Sequence, residues 1–170
     1  MTIQELEQFI ALYGKDIYSF CVYLAGSEAD DLYQDTFLEA VKKKESISKD
    51  GNPKSYLLSV SVNLWNNRKR KYARRMRIAP QVGLDIRDTV RTFPDASDTA
   101  LKNEEKLKVT EAVMKLKEIY KIPILLYYME DMSVTQIGRV LSLPEGTVKS
   151  RMHKARKILG EELEAYYDND

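Results

Sequence analysis

Apolar residues recur at intervals of three and four along most of the chain, the spacing that places them on one face of an α-helix. This pattern predicts seven helices, at about residues 3–25, 28–44, 53–75, 103–118, 120–130, 134–141 and 145–165. Asn52 and Ser133 are predicted caps for the third and sixth helices, and Pro53 suits a first helical turn. No strand-like alternation persists, so the predicted fold class is all-α.

The helical pattern breaks down between Ile78 and Ala100. The segment reads "IAPQVGLDIRDTVRTFPDASDTA", with two prolines, a glycine and scattered acids. A stretch of this length without regular structure is typically a linker or a functional loop. We therefore predict two small helical domains, at residues 1–77 and 104–170, joined by a flexible linker at residues 78–103.

The last predicted helix has two unlike faces. A helical wheel gives an apolar stripe, flanked by Arg151 and Arg156, that consists of Val148, Met152, Ala155 and Leu159. The short helix before it, "SVTQIGRVL", and the turn "SLPE" make the pair typical of a helix-turn-helix, whose second helix reads bases in the major groove. The predicted DNA-contacting residues are Thr147, Lys149, Ser150, Arg151, His153, Lys154 and Lys157. A helix that closes a bundle with a solvated basic face is the alternative.

The third predicted helix begins apolar and ends strongly basic, with seven lysines and arginines between Arg68 and Arg77 and no acid among them. Its predicted inner stripe is Leu57, Val60, Ser61 and Leu64. A basic helix end attracts the phosphate backbone, and asparagines and aromatic rings can contact unpaired bases. The predicted DNA-contacting residues are Tyr56, Ser59, Asn63, Asn66, Asn67, Arg68, Arg70 and Lys71. A solvated or membrane-attracted basic tail is the alternative, and a core role for Tyr56 and Trp65 stays open.

The second predicted helix, "SEADDLYQDTFLEAV", is acidic and carries no basic residue. The wheel places Ala29, Leu32, Tyr33, Thr36 and Ala40 inside. An acidic face repels DNA, and an exposed leucine within it favours a protein-docking patch over purely solvated acids. The predicted docking residues are Asp31, Gln34, Asp35, Leu38 and Glu39.

Composition excludes several function classes. The chain has one cysteine, Cys21, in an apolar run that predicts a small core residue, and one histidine far from it, His153. There is no metal-ligand spacing, no phosphate or dinucleotide fingerprint and no nucleophile–base pairing, so we expect no metal, no cofactor, no small-molecule substrate and no enzymatic activity. A nuclease using the carboxylates of residues 28–39 is a remote alternative. The N-terminus is unlike a signal peptide and no apolar run approaches about 18 residues, so we expect a cytoplasmic protein.

Three motifs together resemble the extracytoplasmic-function (ECF) group of bacterial RNA polymerase sigma factors. "ADDLYQDTFLEAV" resembles the core-polymerase-binding helix of the group, and "SYLLSVSVNLWNNRKRK" resembles the helix that recognises and melts the minus-10 element. "MSVTQIGRVLSLPEGTVKSRMHKARKIL" resembles the helix-turn-helix that reads the minus-35 element. The motifs stand in the order of the family and cover almost the whole chain outside the linker.

The resemblance implies a role for each predicted domain and surface. The acidic face would dock on the beta-prime clamp of the polymerase core, with the beta flap as a second core contact, while residues 1–77 and 104–170 would be sigma regions 2 and 4. The loop from Ile47 to Asn52, with Tyr56 and Asn63, would hold a flipped base of the minus-10 element. An anti-sigma factor, often membrane-bound in this group, is an implied partner that would hold the protein away from the nucleoid.

The sequence therefore favours an alternative sigma factor that binds core RNA polymerase, recognises both promoter elements and helps to open the DNA. A flipped base costs a few kcal/mol, which contacts in a fitted pocket offset. The alternative is a helix-turn-helix regulator that binds duplex DNA tightly without polymerase.

Overall fold

The structure, a computed structural model, describes residues 2–47, 51–79 and 100–168. Within these ranges the chain forms helices and turns and no strand, which confirms the all-α fold class. The chain divides into two compact units, Met1–Thr89 and Val90–Asp170. Residues 80–99 of the predicted linker lie outside the described residues, as do residues 48–50 of the loop predicted to hold a base.

The first unit is built from three helices, α1 (Ile3–Ala25), α2 (Ala29–Lys42) and α3 (Pro53–Ile78). Short 3₁₀ turns, Gly26–Glu28 and Lys44–Ser46, flank α2. The Asn52 side chain accepts a hydrogen bond from the Ser55 backbone N–H at 3.1 Å, so the predicted cap of α3 is confirmed. The sequence analysis missed the capping box of α1, in which Thr2 and Glu5 each accept a hydrogen bond from the backbone N–H of the other.

The core of the first unit lies where the three helices meet. Its fully buried side chains include Ile17, Phe20, Leu24, Leu32, Leu57 and Leu58. The predicted inner stripes were partly wrong, because Leu64 and Tyr33 are only half-buried whereas Leu58, Val62 and Phe37 are buried. Because α3 packs against both α1 and α2, its buried face is wider than a single stripe.

The second unit contains α4 (Ala100–Lys115), α5 (Glu118–Tyr128), α6 (Val134–Leu141) and α7 (Glu145–Tyr167). The sequence placed the end of the fourth helix at residue 118, which is wrong, since the helix breaks at Leu116 and Lys117. Lys117 has an extended backbone (φ −59°, ψ 143°), which ends the helix. Leu116 is buried and fits the helical spacing of apolar residues, so the sequence pattern does not indicate the break. Leu116, Ile124 and Ala155 form a buried cluster that fastens α7 to the helices before it.

Candidate protein-docking and nucleic-acid interfaces

The outer surface of α2 is acidic with one exposed leucine at its centre. Leu38 is 56% exposed, which agrees with its predicted place on the outside. We call the exposed residues of this surface the α2 acidic face; they are Asp31, Gln34, Asp35 and Leu38. This surface therefore offers carboxylates and one uncovered leucine to a partner.

Glu39, the fifth predicted docking residue, differs from the other four. Its carboxylate pairs with Lys43 Nζ at 2.9 Å and lies 4.0 Å from Lys42 Nζ. The hydrogen bond from Lys43 and the positive charge of this residue lower the pKa of Glu39 below its ordinary value. Glu39 is thus paired with Lys42, the last residue of α2, and with Lys43, which follows it.

A buried polar junction fixes α2 against α3. Thr36 Oγ1 donates to the Leu32 carbonyl at 2.7 Å and lies 3.1 Å from Ser61 Oγ, which donates to the Leu57 carbonyl at 2.9 Å. Cys21 of α1 is fully buried beside this pair, and its burial raises the pKa of the thiol to about 12. The prediction of Cys21 as a small core residue is confirmed, and the polar junction links α2 to α3.

Six of the predicted minus-10 residues share one face of α3, on the side of the helix opposite buried Trp65. We call this the α3 polar face; it consists of Tyr56, Ser59, Asn63, Asn66, Asn67 and Arg70. Trp65, 7% exposed, belongs to the core, and the Lys69 ammonium lies 5.3 Å from the centre of its ring. The question left open for Trp65 is therefore settled in favour of packing.

Tyr56 stands at the N-terminal end of the α3 polar face. It is half-buried, and this burial raises the pKa of its phenol, while the nearby charge of Lys43 acts in the opposite direction. At the other end, Arg70 Nη2 donates to Asn67 Oδ1 at 2.5 Å. Asn67 and Arg70 are thus bonded to each other at the C-terminal end of the face.

Arg68 lies off the α3 polar face and turns toward α2. Its Nη2 donates to Asp35 Oδ2 at 2.5 Å, and its Nη1 donates to Glu28 Oε2 at 3.3 Å. A residue predicted to contact DNA is therefore paired with one predicted to dock on protein. Lys71, the eighth predicted minus-10 residue, is exposed.

The α6–α7 pair forms a tight helix-turn-helix. Ser133 caps α6 as predicted, in a capping box with Gln136. Ser142 ends α6 in the left-handed region (φ 53°), and the Leu143 N–H donates to the Gly138 carbonyl at 2.8 Å. A Cβ at Gly138 would lie 2.8 Å from the Leu143 carbonyl oxygen, so the turn closes onto a position that has no side chain.

The two faces of α7 follow the predicted division. Val148, Met152 and Ala155 are buried, and Leu159 is half-buried. The outer residues, which we call the α7 basic face, are Lys149, Ser150, His153, Lys154 and Lys157, all exposed. Thr147 and Arg151, also predicted to contact DNA, are half-buried at its margins.

Two features of the second unit are set by contacts that form only in the folded chain. One is Gly138, where a side chain is excluded because the backbone carbonyl of Leu143 lies too close. The other is Arg156, whose guanidinium lies 5.5 Å and 5.8 Å from the ring centres of Tyr127 and Tyr128 and donates to the Tyr128 hydroxyl at 3.1 Å. This contact joins α7 to α5, so Arg156 has a packing role.

In the part of the chain that the structure describes, no three His, Cys, Asp or Glu side chains are grouped closely enough to hold a metal ion. The same residues include no helix with both the length and the apolar character needed to cross a membrane.

Comparison with protein families finds two matches along the chain. The model described as "Sigma-70 region 2" matches residues 9–75, and the model described as "Sigma-70, region 4" matches residues 106–159. The first match contains the α2 acidic face and the α3 polar face up to Arg70, and the second contains the helix-turn-helix.

Curated relatives are similar over nearly the whole chain. The ECF RNA polymerase sigma factor SigW of Bacillus subtilis (strain 168) is 28% identical over 163 residues, which cover 91% of this chain and 86% of SigW. SigM of the same organism is 25% identical over 162 residues, covering 94% of this chain and 93% of SigM.

Solved structures share the fold. The sigma factor RpoE, solved in complex with the anti-sigma factor NepR from Bartonella quintana, has a TM-score of 0.80 at 24% identity, covering 95% of this chain and 98% of that one. CnrH, solved with the cytosolic domain of CnrY, has a TM-score of 0.66 at 21% identity, covering 96% and 90% of the two chains.

Proposed function

Because the chain belongs to the extracytoplasmic-function group of RNA polymerase sigma factors and directs transcription as an alternative sigma factor, we propose a division of labour between its units. The unit containing α1 to α3 acts as region 2, at residues 1–77, and binds both core polymerase and the minus-10 element. The unit containing α4 to α7 acts as region 4, at residues 104–170, and binds the minus-35 element and the beta flap. Residues 79–99, between α3 and α4, act as the linker, which is shorter than the predicted 78–103 because Ile78 and residues 100–103 are helical.

We assign docking on the beta-prime clamp to the α2 acidic face. The observation that carries this assignment is the exposure of Leu38 among carboxylates, because an uncovered aliphatic side chain in a charged surface gains free energy when a partner covers it. The acids would complement a basic surface on the partner and accelerate association. Glu39, half-buried and held by Lys43, would contribute less than the exposed Asp31.

We assign recognition of the opened minus-10 strand to the α3 polar face and Lys71. Amide and hydroxyl groups can bond to the edges of unpaired bases, and Tyr56 offers a ring on which a base can stack. The exposed arginines and lysines after Asn67 would hold the phosphate backbone.

We assign reading of the minus-35 duplex to the α7 basic face, with Thr147 and Arg151 at its margins. The first two turns of α7 would enter the major groove, and the buried stripe beneath them would keep the helix fixed on its unit. Ser150 Oγ donates to the Thr147 carbonyl at 3.0 Å, which leaves the lone pairs of this oxygen available to a base amino group.

We further propose that an anti-sigma protein holds this chain inactive and that active protein works with polymerase on the nucleoid in the cytoplasm. Support comes from the similar chains RpoE and CnrH, since RpoE was solved bound to an anti-sigma factor and CnrH bound to a cytosolic domain. A membrane-anchored form of that partner would place the inactive complex at the membrane.

The test is reconstituted transcription with core polymerase and fragmented genomic DNA, followed by sequencing of the transcripts. We expect start sites that share one minus-10 and one minus-35 element and disappear when the protein is omitted. Asp31→Lys should weaken binding to core polymerase about tenfold through like-charge contact. The matched control is Glu7→Lys, an exposed acid of α1 outside the α2 acidic face, which should leave binding unchanged.

Two outcomes would contradict the proposal. Absence of promoter-dependent transcripts on every template would refute the function itself. Tight and specific duplex binding by the protein alone, unaffected by core polymerase, would instead support a helix-turn-helix regulator.

A further inference from the structure

One arginine joins the surface assigned to polymerase and the surface assigned to DNA. Arg68 is bonded through Nη2 to Asp35 of the α2 acidic face and through Nη1 to Glu28 in the 3₁₀ turn before α2. The Arg68 side chain is 26% exposed, whereas those of Glu28 and Asp35 are 47% and 51% exposed. Both carboxylates are therefore open to another partner while they hold the guanidinium.

Arg68 is placed between its carboxylate partners on one side and the α3 polar face on the other. It follows Asn67 of the α3 polar face directly and precedes Lys71 by one helical turn, so its long side chain can reach toward either α2 or a bound strand. A guanidinium binds carboxylate and phosphate with the same planar fork of donors. Carboxylates and phosphate backbone would thus compete for Arg68.

We propose that Arg68 is a positioning residue through which docking on polymerase controls strand binding, an inference that rests on the proposed function. In the free protein, Asp35 and Glu28 hold Arg68 against α2 and away from DNA. Polymerase engages Asp35 at the docking surface, and Arg68 is released to the phosphate backbone beside the α3 polar face. The exchange costs little, because the two carboxylates are about half exposed and ion pairs at the surface contribute little net stability.

The first test measures DNA binding by the free, full-length protein. The probe is a fluorescein-labelled single-stranded DNA of mixed sequence, titrated at several salt concentrations. Asp35→Asn should tighten binding about two- to fivefold, the range that one exposed ion pair supports. The slope of log K against log salt concentration should steepen by about 0.7, the value for one added phosphate contact on a single strand.

A matched control separates release of Arg68 from the general effect of removing an acid. Asp31→Asn removes the same charge from the same face, one turn earlier, but Arg68 pairs with Asp35 and Glu28 rather than with Asp31. Asp31→Asn should raise the affinity for the single strand by less than half as much as Asp35→Asn does. It should leave the slope of log K against log salt concentration unchanged. In an Arg68→Gln background the gain from Asp35→Asn should vanish, as coupled residues require. Equal gains from the two asparagine variants, or a gain that persists without Arg68, would overturn the proposal.

The second test uses the complex with core polymerase. Because docking would release Arg68, Arg68→Gln should weaken promoter binding by the polymerase complex about two- to fivefold more than it weakens strand binding by the free protein. Equal losses in the two states would overturn the exchange. A wild-type protein that fails to bind core polymerase would refute the proposed function, whereas normal binding with additive variants would refute only this coupling.

Discussion

Replacing Gly138 by alanine should strain the turn of the helix-turn-helix. The added Cβ would lie 2.8 Å from the Leu143 carbonyl oxygen, well inside ordinary van der Waals contact. The contacting atom belongs to the backbone, so no side-chain rotation relieves it. The same segment is held by the 2.8 Å hydrogen bond from the Leu143 N–H to the Gly138 carbonyl, which resists opening.

The magnitude follows from two opposing terms. Alanine is favoured over glycine in a helix interior by about 1 kcal/mol. Overpacking of a close contact costs about 1–3 kcal/mol. The matched control is Gly160→Ala in α7, where no atom outside the adjoining helical backbone lies within 4 Å of the added Cβ and the helical gain should appear alone. We expect Gly138→Ala to be about 1–3 kcal/mol less stable than Gly160→Ala.

The assay is thermal unfolding of the full chain followed by two signals. Far-ultraviolet circular dichroism reports helices of both units, whereas fluorescence of Trp65, the single tryptophan, reports the first unit. Each kcal/mol should shift the transition of the second unit by about 4–8 °C. Gly138→Ala should lower the circular dichroism transition relative to Gly160→Ala and leave the fluorescence transition in place. Stabilisation by both substitutions to the same extent would refute the reasoning.

The remaining predictions concern the buried junction and the reading face. The pKa of Cys21 is raised to about 12 from an ordinary value of 9.0, so its contribution to the free energy of unfolding is fully present below pH 9 and falls by about 1.4 kcal/mol per pH unit between pH 9 and 12. Urea unfolding at pH 8 and pH 10 should show this extra loss of stability in wild type but not in Cys21→Ala. Equal losses in the two proteins would contradict the prediction. Thr36→Val removes the hydroxyl that donates to the Leu32 carbonyl and contacts Ser61 Oγ, and should cost about 1–2 kcal/mol in Trp65-monitored unfolding, whereas Thr36→Ser should cost less. Equal stability of the two variants would argue against the polar junction. His153→Ala should change the preferred minus-35 base in a binding selection, and an unchanged preference would show that His153 reads no base.

Elements marked by local chemistry were predictable from the sequence. The start of α3 at Asn52 and Pro53 and the start of α6 at Ser133 were found because caps and helix-compatible prolines act over three or four residues. The buried stripe of α7 was found because its buried residues, Val148, Met152 and Ala155, keep helical spacing along one side of the helix. The break at Leu116 and Lys117 was missed because neither residue interrupts the apolar period.

Features set by distant contacts were not predictable. The wheel for α3 identified outward asparagines but could not show that Arg68 would meet Asp35, 33 residues earlier in the chain. Trp65 was ambiguous because a ring suits both a core and a base, and only the packing of three helices decides between them. Gly138 resembles any helical glycine until the Leu143 carbonyl approaches it.

Because α3 is continuous from Pro53 to Ile78, its backbone fixes the spacing of the proposed strand contacts. From residue 56 to residue 71 the backbone climbs about 1.5 Å per residue, or roughly 22 Å. A strand with stacked bases advances about 3.4 Å per nucleotide, so this interval matches about six to seven nucleotides. Substituting side chains along α3 can therefore change which bases are preferred. The length of the DNA strand that α3 contacts stays the same, because the backbone hydrogen bonds of the helix fix its length. One inserted residue would turn every later side chain by about 100° and destroy the register.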